Sequence, residues 1–256
     1  FPLLLLRPRT RTFRFPQLQP SAVTVLHAGE TLDAAARHAP WKPTRDRLVR
    51  QDTENDLRVG IHRACAALRQ GERAESDGTA EGRDASILFR WVALNALCGD
   101  WDAGMPDRDR PCVDRFTTEL SRADSKARIR PTLEAHAKDA RALLESPFLV
   151  ERFWRDGKWD RVGFPRGRAR NFSEELRSQR IGAALDRVLT AVDSPRCQIV
   201  HGGATTGSRV HRVTVDPAAR PLRALSGQVI AVSMERGLEM TWGELCYPPV
   251  PGDGSS

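Results

Sequence analysis

An arginine and a histidine stand five residues apart, Arg196 and His201, in the stretch SPRCQIVHGGATTGS from Ser194 to Ser208, and two glycines follow the histidine at once. The two side-chain types are complementary. An imidazole can take and give a proton near neutral pH, and a guanidinium suits the oxygens of a phosphate. Together they are the minimum needed to cleave RNA without a metal: a ribose 2′-OH loses its proton to the base, its oxygen attacks the adjacent phosphorus, and the cation holds the charge that develops. Spacing sets a limit. On a helix, five residues advance about 500°, which leaves the two side chains about 140° apart. Cys197 and His201, four apart, share a face instead. One chain is therefore expected to converge the pair poorly. A two-fold dimer presents the same patch from both subunits and would bring two arginines and two histidines into one cleft.

The elements that must hold this motif read as helices. Gly202 and Gly203 are the expected stop, since glycine takes the left-handed conformation that closes a helix. Ile181, Leu185, Val188 and Val192 recur at helical spacing upstream. Ser173 reads as the cap of that helix, with Glu174 and Glu175 in its first turn. Asp193-Ser194-Pro195 reads as a second cap followed by a proline at a first helical position, which predicts a break or kink just before Arg196.

Further upstream, Leu57, Ile61, Ala64, Cys65 and Leu68 mark one helix face, and Gly71, Gly78 and Gly82 suggest a loop after it. Leu88, Trp91, Val92, Asn95 and Cys98 form a stripe that Ile87, Leu94 and Leu97 widen, so this helix is expected at the centre of a bundle. Asn95, on so apolar a helix, is expected to bond a buried carbonyl. Val113, Phe116 and Leu120 predict a third helix. Pro131 opens a fourth, with Leu133, Ala137, Ala140 and Leu144 on its inner face. A last helix carries Leu222, Leu225, Val229 and Val232. RVHRVTV, 209–215, alternates as a strand would but has no evident partner. The fold class that follows is all-α, an antiparallel helical bundle of five to six helices. Residues 1–40, broken by five prolines, read as a loosely attached tail, 41–250 as the helical domain, and 251–256 as a flexible end.

Composition narrows the function. The chain has 256 residues, 40% hydrophobic and 29% charged, which is ordinary for a globular protein. Its five cysteines form no Cys-x-x-Cys pair, so neither a disulfide framework nor a zinc site is expected and a reducing cytoplasm fits. No apolar run approaches the roughly 18 residues of a membrane span. Of the net charge of +7, Arg7, Arg9, Arg11 and Arg14 supply +4 in a segment without acids, which leaves +3 for the rest. His27, His38, His62, His136 and His211 lack metal-ligand spacing, and HGGATTGS lacks the lysine of a phosphate-binding loop, so no cofactor is expected. RVGFPRGRARNF, 161–172, offers Arg161, Arg166, Arg168 and Arg170 with Phe164 and Phe172 interleaved, the mixture of phosphate contacts and stacking rings that holds single-stranded RNA.

RCQIVHGGATTGS, 196–208, closely resembles the C-terminal signature of HEPN-domain proteins of the Apea-like bacterial type. FRWVALNAL, 89–97, resembles their second helix, and WGELCYPPV, 242–250, their C-terminal end. LRVGIHRACAAL, 57–68, and PFLVERFWRDGKWD, 147–160, match more weakly in the same order, so the resemblance covers about residues 50–250. It implies a helical bundle that dimerises. Many such proteins are metal-independent endoribonucleases whose arginine and histidine meet across the dimer, in toxin–antitoxin, phage-defence or RNA-processing settings; others are non-catalytic binding modules. Carried over, Arg196 would steady the scissile phosphate and His201 would be general base or acid. Cys197, Gln198, Gly202 and Gly203 would support them, and RNA, a second copy of the chain and an antitoxin protein would be the partners. Two residues depart from the family pattern. Cys197 stands where a polar Asn, Asp or His is usual, and Pro195 precedes the arginine. A Cys197–His201 nucleophile pair is disfavoured because no third group to orient the histidine can be named.

Overall fold

A computed structural model describes residues 56–99, 101–102, 105–106, 109–149, 166–209 and 212–240. The periodic residues Leu57, Ile61, Ala64, Cys65 and Leu68 become the buried face of α1, Asp56–Ser76. α1 turns back into α2, Ala80–Cys98, through a short link, and Thr79 caps the second helix by accepting the Gly82 N–H at 2.9 Å. Gly71 and Gly82 thus lie inside helices, and the expected loop shrinks to the residues around Gly78. Close approach explains the glycine at 82: a Cβ there would run into the Ala74 carbonyl oxygen.

A two-residue antiparallel pair, β1 Trp101–Asp102 with β2 Met105–Pro106, leads to α3, Asp109–Ala123, which buries Val113, Phe116 and Leu120. The predicted fourth helix is two: α4, Ile129–Ala135, and α5, Ala137–Leu144, meeting at His136. Pro131 is the third residue of α4 rather than its first. A 3-10 turn, Pro147–Leu149, follows. The predicted fifth helix is also two: α6, Arg166–Arg177, and α7, Ile181–Val200, separated by a turn in which Gln179 is left-handed with φ 58°. Ser173 therefore caps nothing; it lies within α6 and its hydroxyl donates to the Ala169 carbonyl at 3.0 Å. Glu175 is buried against Arg187 rather than spent on a helix dipole.

α8, Arg212–Arg236, begins ten residues before the expected Leu222 and is followed by a 3-10 turn, Gly237–Glu239. It absorbs the second half of the strand-like run, whose Thr214 and Val215 are buried while Val213 is exposed. Pro217 and Pro221 both sit inside it. An interior proline costs about 3 kcal/mol. Each of Leu222, Leu225, Val229, Ile230 and Val232, all fully or nearly fully buried, returns about 1.5–3 kcal/mol, so packing outweighs local propensity.

α8 packs on α1, α2, α3, α4, α5 and α7, and α7 packs on α2, α3, α4, α5, α6 and α8, so these two helices lie at the centre rather than α2. α2 turns Ile87, Trp91, Leu94, Leu97 and Cys98 inward but leaves Phe89 and Val92 exposed, the latter at 53%. The buried arc is centred about one residue away from the stripe through Leu88, Val92 and Asn95. Asn95 does not reach a buried carbonyl; its side-chain oxygen accepts from the Cys98 thiol at 3.8 Å. Arg90 instead supplies the buried polar joint: its guanidinium donates to Glu75 at 2.8 Å, Ser86 at 3.0 Å and Ser226 at 3.2 Å, tying α1, α2 and α8 together. Desolvation pulls its pKa below the ordinary arginine value, and Glu75 opposes that shift.

The described chain is all-α, and none of its helices is long and apolar enough to cross a membrane. The described cysteines, Cys65, Cys98, Cys112 and Cys197, form no disulfide with one another. The segments 1–40 and 251–256 lie outside the described residues.

Candidate functional site

α7 carries the motif on its last turn and a half. Its early residues Leu185, Val188, Leu189 and Val192 are buried and fix its path against α3, α6 and α8. With the path fixed, the helix continues through Pro195, which is itself buried, and no break precedes Arg196. Asp193-Ser194 is not a cap. The Asp193 carboxylate is engaged by the Arg196 guanidinium and accepts from the Cys197 thiol at 3.8 Å.

Arg196 points to α2, where its guanidinium carbon lies 5.1 Å from the centroid of the Trp91 ring. Ring and carboxylate hold the fork from two sides, and the side chain is only 16% exposed. A cation over an indole gains about 0.5–2 kcal/mol, more as water is excluded.

His201 is the C-terminal cap, with φ −92° and ψ 10°, and its imidazole is exposed. Its backbone N–H donates to the Cys197 carbonyl at 2.9 Å. The turn that follows is the expected glycine stop. Gly202 is left-handed at φ 72°, and the Ala204 N–H returns to the Gln198 carbonyl at 2.9 Å, satisfying an otherwise orphaned helix end. Gly203 has an ordinary backbone and lies over Gln198.

The remaining motif residues divide by role. Gln198 is structural: its side-chain amide donates to the Phe148 carbonyl at 3.2 Å and to the Ser194 hydroxyl at 3.4 Å, holding α7 to the Pro147–Leu149 turn. The Cys197 thiol is directed at the Asp193 carboxylate, at 3.8 Å. Within one chain, then, Arg196 faces α2 while His201 stands exposed at the helix end.

Beyond the cap, a clasp holds the loop. Asp84 of α2 is 1% exposed; it accepts the Gly207 N–H at 2.9 Å and pairs with Arg212 of α8. Arg212 also donates to the Ser208 carbonyl at 3.2 Å and the Ala80 carbonyl at 3.4 Å, and Asp216 lies 3.7 Å away. The loop behind His201 is thus fastened to two helices at its far end. None of Trp91, Asp193, Asp84 and Arg212 was expected at the site: Trp91 read only as core, Asp193 only as part of a cap, and Asp84 and Arg212 not at all. Asp193 alone had a local signal, three residues before an arginine on a helix.

The second predicted site fares differently. Arg161 and Phe164 lie outside the described residues, and Arg166 is placed only as the start of α6. Arg168 and Arg170 are exposed on that helix, with Arg168 donating to the Leu149 carbonyl at 3.2 Å. Phe172 is fully buried. It joins Ala169 and Leu176 in an i, i+3, i+7 stripe facing the core, so it is not a ring on which a base could stack. Residues 166–172 of the segment fold as the start of α6, where this stripe has a place to bury.

Among the described residues, no three metal-ligating side chains cluster. No protein-family model, curated protein or solved structure matches this chain.

Proposed function

We propose that the chain is a HEPN-type antiparallel helical bundle acting as a dimeric, metal-independent endoribonuclease of the cytoplasm, in the manner of a toxin or defence effector. One observation carries the reading: a single helix presents Arg196, braced by Trp91 and Asp193, and ends at an exposed His201 closed off by a left-handed Gly202. His201 takes the proton of a ribose 2′-OH, and the oxygen attacks the neighbouring phosphorus. Arg196 balances the charge of the pentavalent state, and the 5′-oxygen leaves with a proton from a second imidazole. The helix geometry separates Arg196 and His201 within one chain, so the second subunit completes the site. Exposed apolar residues support such a contact: Val92 follows Trp91 on α2, and Val200, 55% exposed, lies one turn beyond Arg196 on α7.

A second reading, a non-catalytic HEPN module that binds nucleotide, RNA or a protein partner such as an antitoxin, draws on the Asp193–Arg196 pair, since a carboxylate already occupies the fork a phosphate would use. The assay that separates the two is RNA cleavage in EDTA. The nuclease is expected to leave 2′,3′-cyclic phosphate and 5′-hydroxyl ends. His201→Ala is expected to abolish cleavage while changing stability by no more than about 0.5 kcal/mol, the range for an exposed truncation. Cleavage that EDTA stops, or that survives His201→Ala, moves the assignment to the binding module.

A further inference from the structure

α1 presents a row of cations to solvent. Arg58, Arg69 and Arg73 are exposed, as is His62. At 100° per residue these side chains fall within an arc of about 60°, and they extend over about 22 Å of helix. The buried residues Leu57, Ile61, Ala64 and Leu68 are centred about 120° around the helix from this row. Glu75 pairs instead with the buried Arg90 at 2.8 Å and with Arg223 at 3.2 Å. Among the described residues, no carboxylate is ion-paired with Arg58, Arg69 or Arg73. Three arginines on other helices differ: Arg122, Arg130 and Arg177 each have a carboxylate within one turn, on Glu119, Glu134 and Glu174.

We propose that the solvent face of α1 is a second RNA-binding surface, on which Arg58, Arg69 and Arg73 track the phosphates of a single strand without reading its sequence. Its choice of polyanion rests on the ribonuclease reading above; its existence rests on a row of exposed cations that pairs with no carboxylate among the described residues. The three cations are too far from one another to bind one small anion together, with about 16 Å of helix between Arg58 and Arg69. A chain of phosphates meets all of them. Each phosphate neutralised releases counterions, so the binding is strongly salt-dependent.

The test uses a fluorescent single-stranded 2′-O-methyl RNA, which binds but lacks the attacking hydroxyl, with anisotropy read across a salt series. For single strands each contact contributes a slope of about 0.7 in log K against log salt, so removing three lowers the slope by about 2 and the affinity by about 100-fold at 0.1 M salt. R58Q/R69Q/R73Q is expected to show that loss with an unchanged helical spectrum and melting temperature. R122Q/R130Q/R177Q, which removes the same net charge, is expected to stay within a few-fold of the parent. Equal loss in both triple variants, or none in the first, overturns the proposal. So does an α1 variant that loses binding to phosphatidylserine vesicles while keeping RNA. Because the probe is not cleaved, a parent protein that fails to cut ordinary RNA sinks the nuclease reading and leaves this one standing, and the reverse result separates them equally well.

Discussion

The guanidinium of Arg196 lies over the ring of Trp91, 5.1 Å from its centroid, and joins α7 to α2 at the point where the candidate chemistry begins. The indole does two things there. It fills the core, being 3% exposed, and it holds a cation in one place. Its own N–H is buried without a hydrogen-bond partner among the described residues. Trp91→Phe removes that orphaned donor along with some packing, so the stability loss is expected near 1–2 kcal/mol rather than the about 3–5 kcal/mol of Trp91→Ala. The weaker quadrupole of Phe should loosen Arg196. RNA cleavage by Trp91→Phe should fall further than its melting curve alone accounts for, and a variant whose activity matches its folded fraction would contradict this.

Asp193 competes with substrate for the arginine. The pair spans one helical turn, and its carboxylate is 35% exposed, so Asp193→Asn should change stability by less than about 1 kcal/mol in chemical denaturation. Freed of that carboxylate, Arg196 should bind phosphate better. Titration with a short RNA should show affinity rising several-fold; a fall would mean that Asp193 orients the guanidinium productively rather than masking it.

Breaking the Asp84–Arg212 clasp should be expensive. Removing one member of a buried pair costs about 3–5 kcal/mol, and the low end applies here because Arg212 retains Asp216 at 3.7 Å. Asp84→Ala also deprives the Gly207 N–H of its acceptor. Hydrogen exchange at Gly207 should accelerate more than exchange in α7, and D84A/R212M should cost less than the two single changes added together.

The two glycines after His201 should behave unequally. Gly202 has φ 72° with open space around its Cβ position, so Gly202→Ala is penalised by the backbone alone, about 1 kcal/mol, and Gly202→Asn by less. At Gly203 the backbone is ordinary and a Cβ would make normal contacts with Gln198 at 3.6 Å. Gly203→Ala should leave the melting temperature nearly unchanged. Equal losses at both positions would mean that the cap is not the Gly202 turn.

Local periodicity was enough for much of this architecture. The inner faces of α1 and α3, the core residues Leu185, Val188 and Val192 of α7, and the glycine stop at 202 are each set by residues three or four apart or by one backbone conformation, and neither depends on distant neighbours. Properties set by competition between local preference and packing were not legible. Pro195 reads as an interruption, yet α7 runs through it, as α8 runs through Pro217 and Pro221, because the buried residues around each outweigh one lost hydrogen bond. Phe172 reads as a ring beside arginines and lies in the core because α6 has a partner surface. On α2, residues such as Leu88 and Val92 are as apolar as Leu94 and Leu97, so sequence could not say which side would be covered; the positions of α1 and α8 made that choice. The same holds for the site. The spacing of Arg196 and His201 was visible, but Trp91 and Asp84 come from about 100 or more positions away, Asp193 from a turn misread as a cap, and Arg212 from the next helix, and only folding brings such groups together.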